Sequence, residues 1–394
     1  MYLPVILTSD EYLEEARTLK YIQEKDGYIV TIAKVSDINK YSEAEDPSIT
    51  GVIGYVEASK EEQELLTDYK FSLSKKIISY LRELLEDNKI NYLTILGDGS
   101  IIPPSYYVIS PDYFNDYDQW VPTDLFYSGP NTKGKIFTIE ISVGRLPFRD
   151  RDEARNIINK IKLYRESLNE SWFKNIGLMG GDPFDGDYIG ELMLADGVNK
   201  DYLGGMNVKK LFRTSGKFDR KSVLKSLTDE DYGIIWEEGH GGGDTLYLEP
   251  GTLDSKEILS LPQKNKLPIF LSVACGNGAY DTRVLKTDFN TNKYLKYPTS
   301  FSEALVLSNG GAIAYVGGAR INYSGFSLTY KNGIPELKNK MYMDLILDIF
   351  MSNYNNKEGS LGDIAKKTLT DYVKKGWRYI NYGDIKVSDC ICFQ

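Results

Sequence analysis

Histidine occurs once in this chain of 394 residues, as His240, and cysteine three times, as Cys275, Cys390 and Cys392. One imidazole and a single Cys-x-Cys pair cannot furnish a zinc shell by themselves. An odd cysteine count with one member standing alone cannot build a disulfide framework. Positive charge is in deficit, with 47 Lys and Arg against 56 Asp and Glu and a formal charge of −9. That balance repels nucleic acid and anionic membrane and favours cationic ligands, so no nucleic-acid partner is expected. Long apolar runs are missing as well. Stretches such as residues 269–274 are strand-length, far short of the roughly 20 residues that cross a bilayer, so no membrane insertion is expected. The first fifteen residues lack the basic region and apolar core of a secretion signal, which predicts a cytoplasmic chain as it stands. Nor is there a Gly-x-x-x-x-Gly-Lys-Ser/Thr loop, or a Gly-x-Gly-x-x-Gly opening an amphipathic helix, so the glycine cluster at 239–243 carries only a weak case for nucleotide binding.

What is present is a regular alternation of short β-branched runs with stretches of helical period, the pattern of parallel strands joined by crossover helices. The fold class is therefore α/β, with mostly parallel sheets flanked by helices. Strands are expected at residues 5–8, 28–35, 92–97 and 139–145, and again at 176–180, 208–212, 232–238, 269–275 and 312–317. Helical spacing is clear in Ile77, Ile78, Leu81, Leu84 and Leu85, and in Ala154, Ile157, Ile158, Ile161 and Tyr164. The polar break at 167–171 separates two consecutive α/β units, 1–168 and 169–394. Residues 114–135 and 278–299 show no periodicity and read as long surface loops.

Open parallel sheets bind ligands beyond the carboxyl ends of their strands. Two segments run from an apolar strand straight into glycine there: Ile234-Ile235-Trp236-Glu237-Glu238-Gly239-His240-Gly241, and Ile269-Phe270-Leu271-Ser272-Val273-Ala274-Cys275-Gly276. A thiol attacks as thiolate and needs a partner that takes its proton near neutral pH, for which imidazole is suited. Taken singly, a strand-end cysteine is also a good small core residue and a Gly-His-Gly turn is often only a turn. Both features at strand ends, one helix-plus-loop apart, favour a nucleophile and its base.

The pair His240-Gly241 and Ala274-Cys275-Gly276 resembles the dyad of caspase-like cysteine peptidases, clan CD. Further motifs resemble one branch, the gingipain family: Leu96-Gly97-Asp98 with Ile102-Pro103-Pro104, Pro122-Thr123-Asp124-Leu125-Phe126-Tyr127, Val143-Gly144-Arg145-Leu146-Pro147, Phe301-Ser302-Glu303-Ala304-Leu305, Gly310-Gly311-Ala312-Ile313-Ala314-Tyr315 and Asn381-Tyr382-Gly383-Asp384. The resemblance implies a caspase-like three-layer fold of two subdomains, non-catalytic over 1–168 and catalytic over 169–394. It implies a cysteine endopeptidase in which Cys275 attacks, His240 protonates the leaving amine, and the N–H groups of Gly241 and Cys275 hold the oxyanion. Asp182, following Leu178-Met179-Gly180-Gly181, matches the acidic residue that assists the histidine, as Asp where the family members compared have Glu.

Cleavage after Arg or Lys, which the resemblance also implies, needs a carboxylate in the primary pocket. The candidates are Glu191, its neighbour Asp187, and Glu238, which lies two residues before His240 on the same side of its strand, with Val273 in the equivalent place before Cys275. Asp182, Asp185 and Asp187 are spaced for the structural calcium that the family uses. No cofactor is required for the chemistry, and the expected partner is a protein or peptide substrate. A caspase-like peptidase cleaving after Asn or Asp, and a catalytically weak peptide-binding module, are the competing readings. Cys390 and Cys392 read as structural. Family members carry leaders, inhibitory prosegments and trailing domains, and none of these is expected within this chain. No signal in the sequence bears on its oligomeric state.

Overall fold

The computed structural model describes residues 3–44, 71–108, 120–132, 138–167, 170–182, 188–199, 203–283, 299–322, 324–356, 359–375 and 392–393. Its first half is built on β1 (Pro4–Thr8), β2 (Thr31–Lys34), β3 (Tyr92–Leu96), the antiparallel pair β4 (Ser105–Val108) and β5 (Trp120–Thr123), and β6 (Ser142–Leu146). Strands β2-β1-β3-β6 make one parallel sheet. Helices α1 (Leu13–Glu24), α2 (Phe71–Glu86) and α3 (Arg151–Glu166) accompany it. Helix α3 begins where the Asp150 carboxylate accepts from the N–H groups of Asp152 and Glu153, at 3.0 and 2.9 Å, satisfying donors that the first turn leaves open. Its Ala154, Ile157 and Ile158 are buried, as their spacing predicted.

The second half repeats the winding on a larger scale. Strands β7 (Asn175–Gly180), β8 (Asn207–Phe212), β9 (Ile234–Glu238), β10 (Gly241–Gly242), β11 (Thr245–Tyr247), β12 (Thr252–Asp254), β13 (Ile269–Ser272), β14 (Ala314–Gly317), β15 (Ser324–Lys331), β16 (Ile334–Met341) and β17 (Cys392–Phe393) follow in order. The main sheet runs β17-β14-β13-β9-β7-β8, parallel except for β17. Cys392 pairs with Gly317 in that last strand, while Cys390 and the 381–384 motif lie outside the described residues. Because the chain moves from β7 to β8 on one side and returns to β9 on the other, the switch point falls between β7 and β9. Crevices at such points are where doubly wound sheets bind their ligands. Helices α4 (Ile189–Asn199), α5 (Arg220–Asp229), α6 (Ser255–Leu259), α7 (Phe301–Leu307), α8 (Tyr342–Asn355) and α9 (Leu361–Lys374) complete this half. No described helix is long and apolar enough to cross a membrane.

The halves are closely joined. Helix α9 packs against β6 of the first sheet, where the Tyr92 hydroxyl meets Asp363 at 2.5 Å. Lys160 on α3 is buried and donates to the carbonyls of Val306, Ser308 and Ala312 at 2.6, 2.6 and 3.0 Å. Three acceptors match the three donors of an ammonium, yet burial pushes the group down to about 7. The unfolded chain, with an ordinary lysine near 10.4, then binds more protons between those values, so stability rises with pH across that window. Urea midpoints at pH 7 and pH 9 are expected to differ more for the wild type than for Lys160→Met. Equal differences in the two proteins would contradict this.

Candidate active site

Register decides which side chains meet at the switch point. Ser272 on β13 lies opposite Glu237 on β9, and the Val273 N–H still donates to the Glu237 carbonyl at 3.2 Å. Cys275 and His240 stand three residues further along their respective strands, so they emerge level with each other. On the other side of β9, Gly180 of β7 lies opposite Glu238, and the Gly181 N–H donates to the Glu238 carbonyl at 2.8 Å. Asp182 is thereby level with His240 as well. Neighbouring strands are about 5 Å apart, so acid, imidazole and thiol form one row across β7, β9 and β13. His240 is exposed and Cys275 half-buried.

Each turn has its own bracing. A Cβ at Gly241 would lie 2.8 Å from Asn277 Oδ1 and 2.9 Å from Ala274 Cβ, so only glycine lets the histidine turn lie against the cysteine strand. Asn277, buried two residues after Cys275, donates to the Gly242 carbonyl and, at 3.0 Å, to that of Thr245. Gly276 has φ of +67°, a left-handed conformation that glycine adopts without strain. On the opposite face of β9, Glu237 is buried and pushed up to about 7 by desolvation, and accepts from the Ser272 hydroxyl at 2.6 Å. That hydroxyl in turn accepts from the Ala274 N–H at 3.1 Å, fixing the strand end that carries Cys275. Sequence reading passed over Asn277 and Glu237, since nothing local marks an Asn or a strand Glu as a brace.

Asp182 keeps 9% side-chain exposure and pairs with Arg213 at 3.1 Å, while its N–H donates to Glu249 Oε1 at 2.7 Å. Glu249 also pairs with Arg213. The end of β7 is thus an acid–base–acid cluster in which Glu249 was not foreseen. Of the aspartates spaced for calcium, Asp185 and Asp187 lie outside the described residues. Among the described residues no group of three or more His, Cys, Asp or Glu is arranged to hold a metal ion.

The other acidic candidates lie one level deeper on the face that carries His240 and Cys275. Glu238 and Val273 are neighbours there, both buried. Gly180, next along the same level, has no side chain, and a Cβ there would stand 3.0 Å from Glu191 Cγ. Glu191 is spoken for, because Thr214 donates to its two oxygens at 2.8 and 2.5 Å. Glu238 accepts from Trp236 Nε1 at 3.1 Å, and burial followed by the nearby Asp344 pushes its carboxyl well above the usual carboxylate range. Asp344, raised by the same burial, accepts from the Ser324 hydroxyl at 2.7 Å and the Gly325 N–H at 3.1 Å. Lys340 on β16 joins them, paired with Asp348 at 2.7 Å and Asp196 at 3.7 Å and lying 5.3 Å from the centre of the Trp236 ring. In this cluster one lysine is surrounded by four carboxyl groups.

The first unit reaches the site through Arg145. This buried guanidinium pairs with Asp124 at 2.7 Å and donates to the carbonyls of Gly97, Asp98 and Ile102 at 2.8, 3.2 and 2.8 Å. Its other face covers the Tyr280 ring at 4.9 Å, and the Gly99 N–H donates to the Tyr280 carbonyl at 3.1 Å. Three separated motifs of the first unit therefore converge on the loop that follows Cys275.

A doubly wound sheet that brings a lone thiol and the lone imidazole out side by side has the layout of a cysteine peptidase. The chain matches the model of Peptidase family C25 over residues 3–389 and belongs to that family, the gingipain family. It is 28% identical over 388 residues to an uncharacterized protein of Archaeoglobus fulgidus, covering 93% of this chain and 87% of that protein. Among solved structures it is similar to gingipain R, an Arg-specific cysteine proteinase, with a TM-score of 0.63 at 14% identity over 95% of this chain and 73% of the other. A structure described as a protease gives a TM-score of 0.64, also at 14% identity, over 100% of this chain and 76% of the other. The expected α/β architecture is thus the fold of these peptidases, and the protein is a cysteine-type peptidase acting on protein substrates.

Proposed function

We propose that this peptidase is an endopeptidase that cleaves after Arg or Lys, with Cys275 as nucleophile and His240 as its base and acid. The observation that carries the dyad is the level emergence of the two side chains from β13 and β9. On this reading the Cys275 thiolate attacks the scissile carbonyl carbon, and the carbonyl oxygen takes the electron pair. The oxyanion is received by the main-chain N–H groups of Gly241 and Cys275. The Tyr247 N–H donates to the His240 carbonyl at 3.0 Å, so that Gly241, opposite Leu246, occupies the adjacent non-bonded position of the ladder and aims its N–H away from β11. His240 then gives its proton to the leaving amine, leaving a thioester on Cys275. Water attacks that carbonyl as His240 takes its proton, and the acid product and the thiol are released.

Asp182 orients the imidazole on this reading, its level place at the end of β7 supporting the role. The preference for a cation is supported by the carboxyl groups around Glu238, one level beneath the dyad on the same face. A peptidyl acyloxymethyl ketone ending in Arg is the direct test. Labelling of Cys275, with Cys390 and Cys392 unlabelled, is the expected result in peptide mapping. Absence of labelling on folded protein, or equal labelling by a probe ending in Asn, would sink the proposal.

A further inference from the structure

The segment after β14 folds back over the cysteine turn and bonds to the chain around Cys275. The Gly276 N–H donates to the Arg320 carbonyl at 2.7 Å and the Gly278 N–H to the Gly318 carbonyl at 2.8 Å. Arg320 is held in turn by Asp281, at 3.0 and 2.6 Å. At the end of this bracket the Asn322 main-chain N–H lies 3.4 Å from Cys275 Sγ, and the Asn322 carbonyl lies 3.7 Å from the same atom. The Asn322 side chain, almost completely buried, donates through Nδ2 to the carbonyls of Val273 at 2.9 Å and Ala274 at 3.1 Å. Gly318 is required for this arrangement, since a Cβ there would come within 1.7 Å of Asn322 Oδ1.

We propose that Asn322 is a positioning residue for the nucleophile: its amide ties it to the strand that carries Cys275, and its own main-chain N–H is thereby held against the sulfur to stabilise the thiolate. The inference rests on the reading of Cys275 as nucleophile. A sulfur anion accepts a stronger hydrogen bond than a thiol does, so an N–H locked on that atom favours the ionised form. The neighbouring carbonyl accepts a hydrogen bond from the thiol before ionisation and opposes the anion afterwards, so the preference for thiolate comes from the N–H, which lies closer to the sulfur. The side chain matters because two donors from one planar amide to consecutive carbonyls leave residue 322 little freedom to shift.

The test follows thiolate formation, independently of peptidase activity. Asn322→Ala keeps the main-chain N–H and loses the tether, while His240, Glu238 and the Arg320–Asp281 pair around the site stay in place. The ratio of Cys275 alkylation by iodoacetamide at pH 6 to that at pH 9 is expected to fall about tenfold, the loss of roughly one charge-assisted hydrogen bond. With a basic peptide substrate, kcat at pH 6 should fall with KM little changed. An unchanged alkylation ratio, whatever happens to thermal stability, would make Asn322 merely structural. In the wild type, the Asn322 amide proton resonance should move with the same pH midpoint as thiolate absorbance at 240 nm, and a resonance indifferent to ionisation would also overturn the inference. That measurement remains decisive if Asn322→Ala does not fold. Peptide cleavage by the wild type with no alkylation effect in the variant would leave the dyad standing and remove only Asn322.

Discussion

Cys275→Ala and His240→Ala are each expected to lower kcat/KM for a peptide amide with Arg at the cleavage position by about a thousandfold or more. The two losses should not add in the double variant, because nucleophile and base act as one unit. Thermal midpoints should remain within about 3 °C of the wild type. His240 is exposed beyond the last residue of β9, and Cys275 is half-buried beyond β13, so neither side chain carries core packing. A variant at either position that cleaves at the wild-type rate would exclude the dyad. Alkylation of the His240→Ala protein should also slow at neutral pH, since the thiol then has no base beside it.

Replacing Glu238 by Leu is the second large effect, and it reads specificity rather than turnover. The ratio of kcat/KM for a substrate with Arg to that with citrulline, which has the same shape and no charge, is expected to fall by about a hundredfold or more. The cause is electrostatic. Glu238 and Asp344 are both buried and face each other, so burial holds a proton on the pair, with the Asp344 charge raising Glu238 further and Lys340 opposing the shift. An arriving cation would draw that proton off, and the preference for Arg should therefore strengthen as pH rises. Glu191→Gln is the contrasting variant, with a ratio close to wild type, because Thr214 already engages both carboxylate oxygens. If Glu191→Gln removed the preference and Glu238→Leu did not, the assignment of the pocket would be reversed.

Much of this arrangement is legible along the chain. Each of the nine strands expected from β-branched runs corresponds to an observed sheet strand, within a few residues at the ends. Strands buried on both faces are written as continuous apolar runs, and His240 and Cys275 stand out because each is rare and each ends such a run. The hairpin of β15 and β16 was not foreseen, although Asn332-Gly333 at its tip, with φ of +53° and +78°, is a strong turn signal. Phe326, Leu328 and Tyr330 alternate with Ser327, Thr329 and Lys331 along β15, so a strand signal was present too, although both strands are mostly half-exposed or exposed and bury little of it. The motifs around Gly97, Asp124 and Arg145 were recognisable as a family pattern without their purpose being visible. Folded, they wrap one buried guanidinium that supports the loop following Cys275.

By itself the sequence determined the class of fold, and it singled out the two strand ends proposed to carry the dyad, because both follow from local apolar pattern and side-chain chemistry. Only the tertiary structure decided which groups share a face and which are already engaged. It placed Asp182 level with His240, joined Glu238 to Asp344 and Lys340 across long stretches of chain, gave Glu191 to Thr214, and set the Asn322 N–H on the Cys275 sulfur. Those pairings depend on strand register and on helices packing across the sheet, and such long-range distances are not encoded in the spacing of residues along the chain.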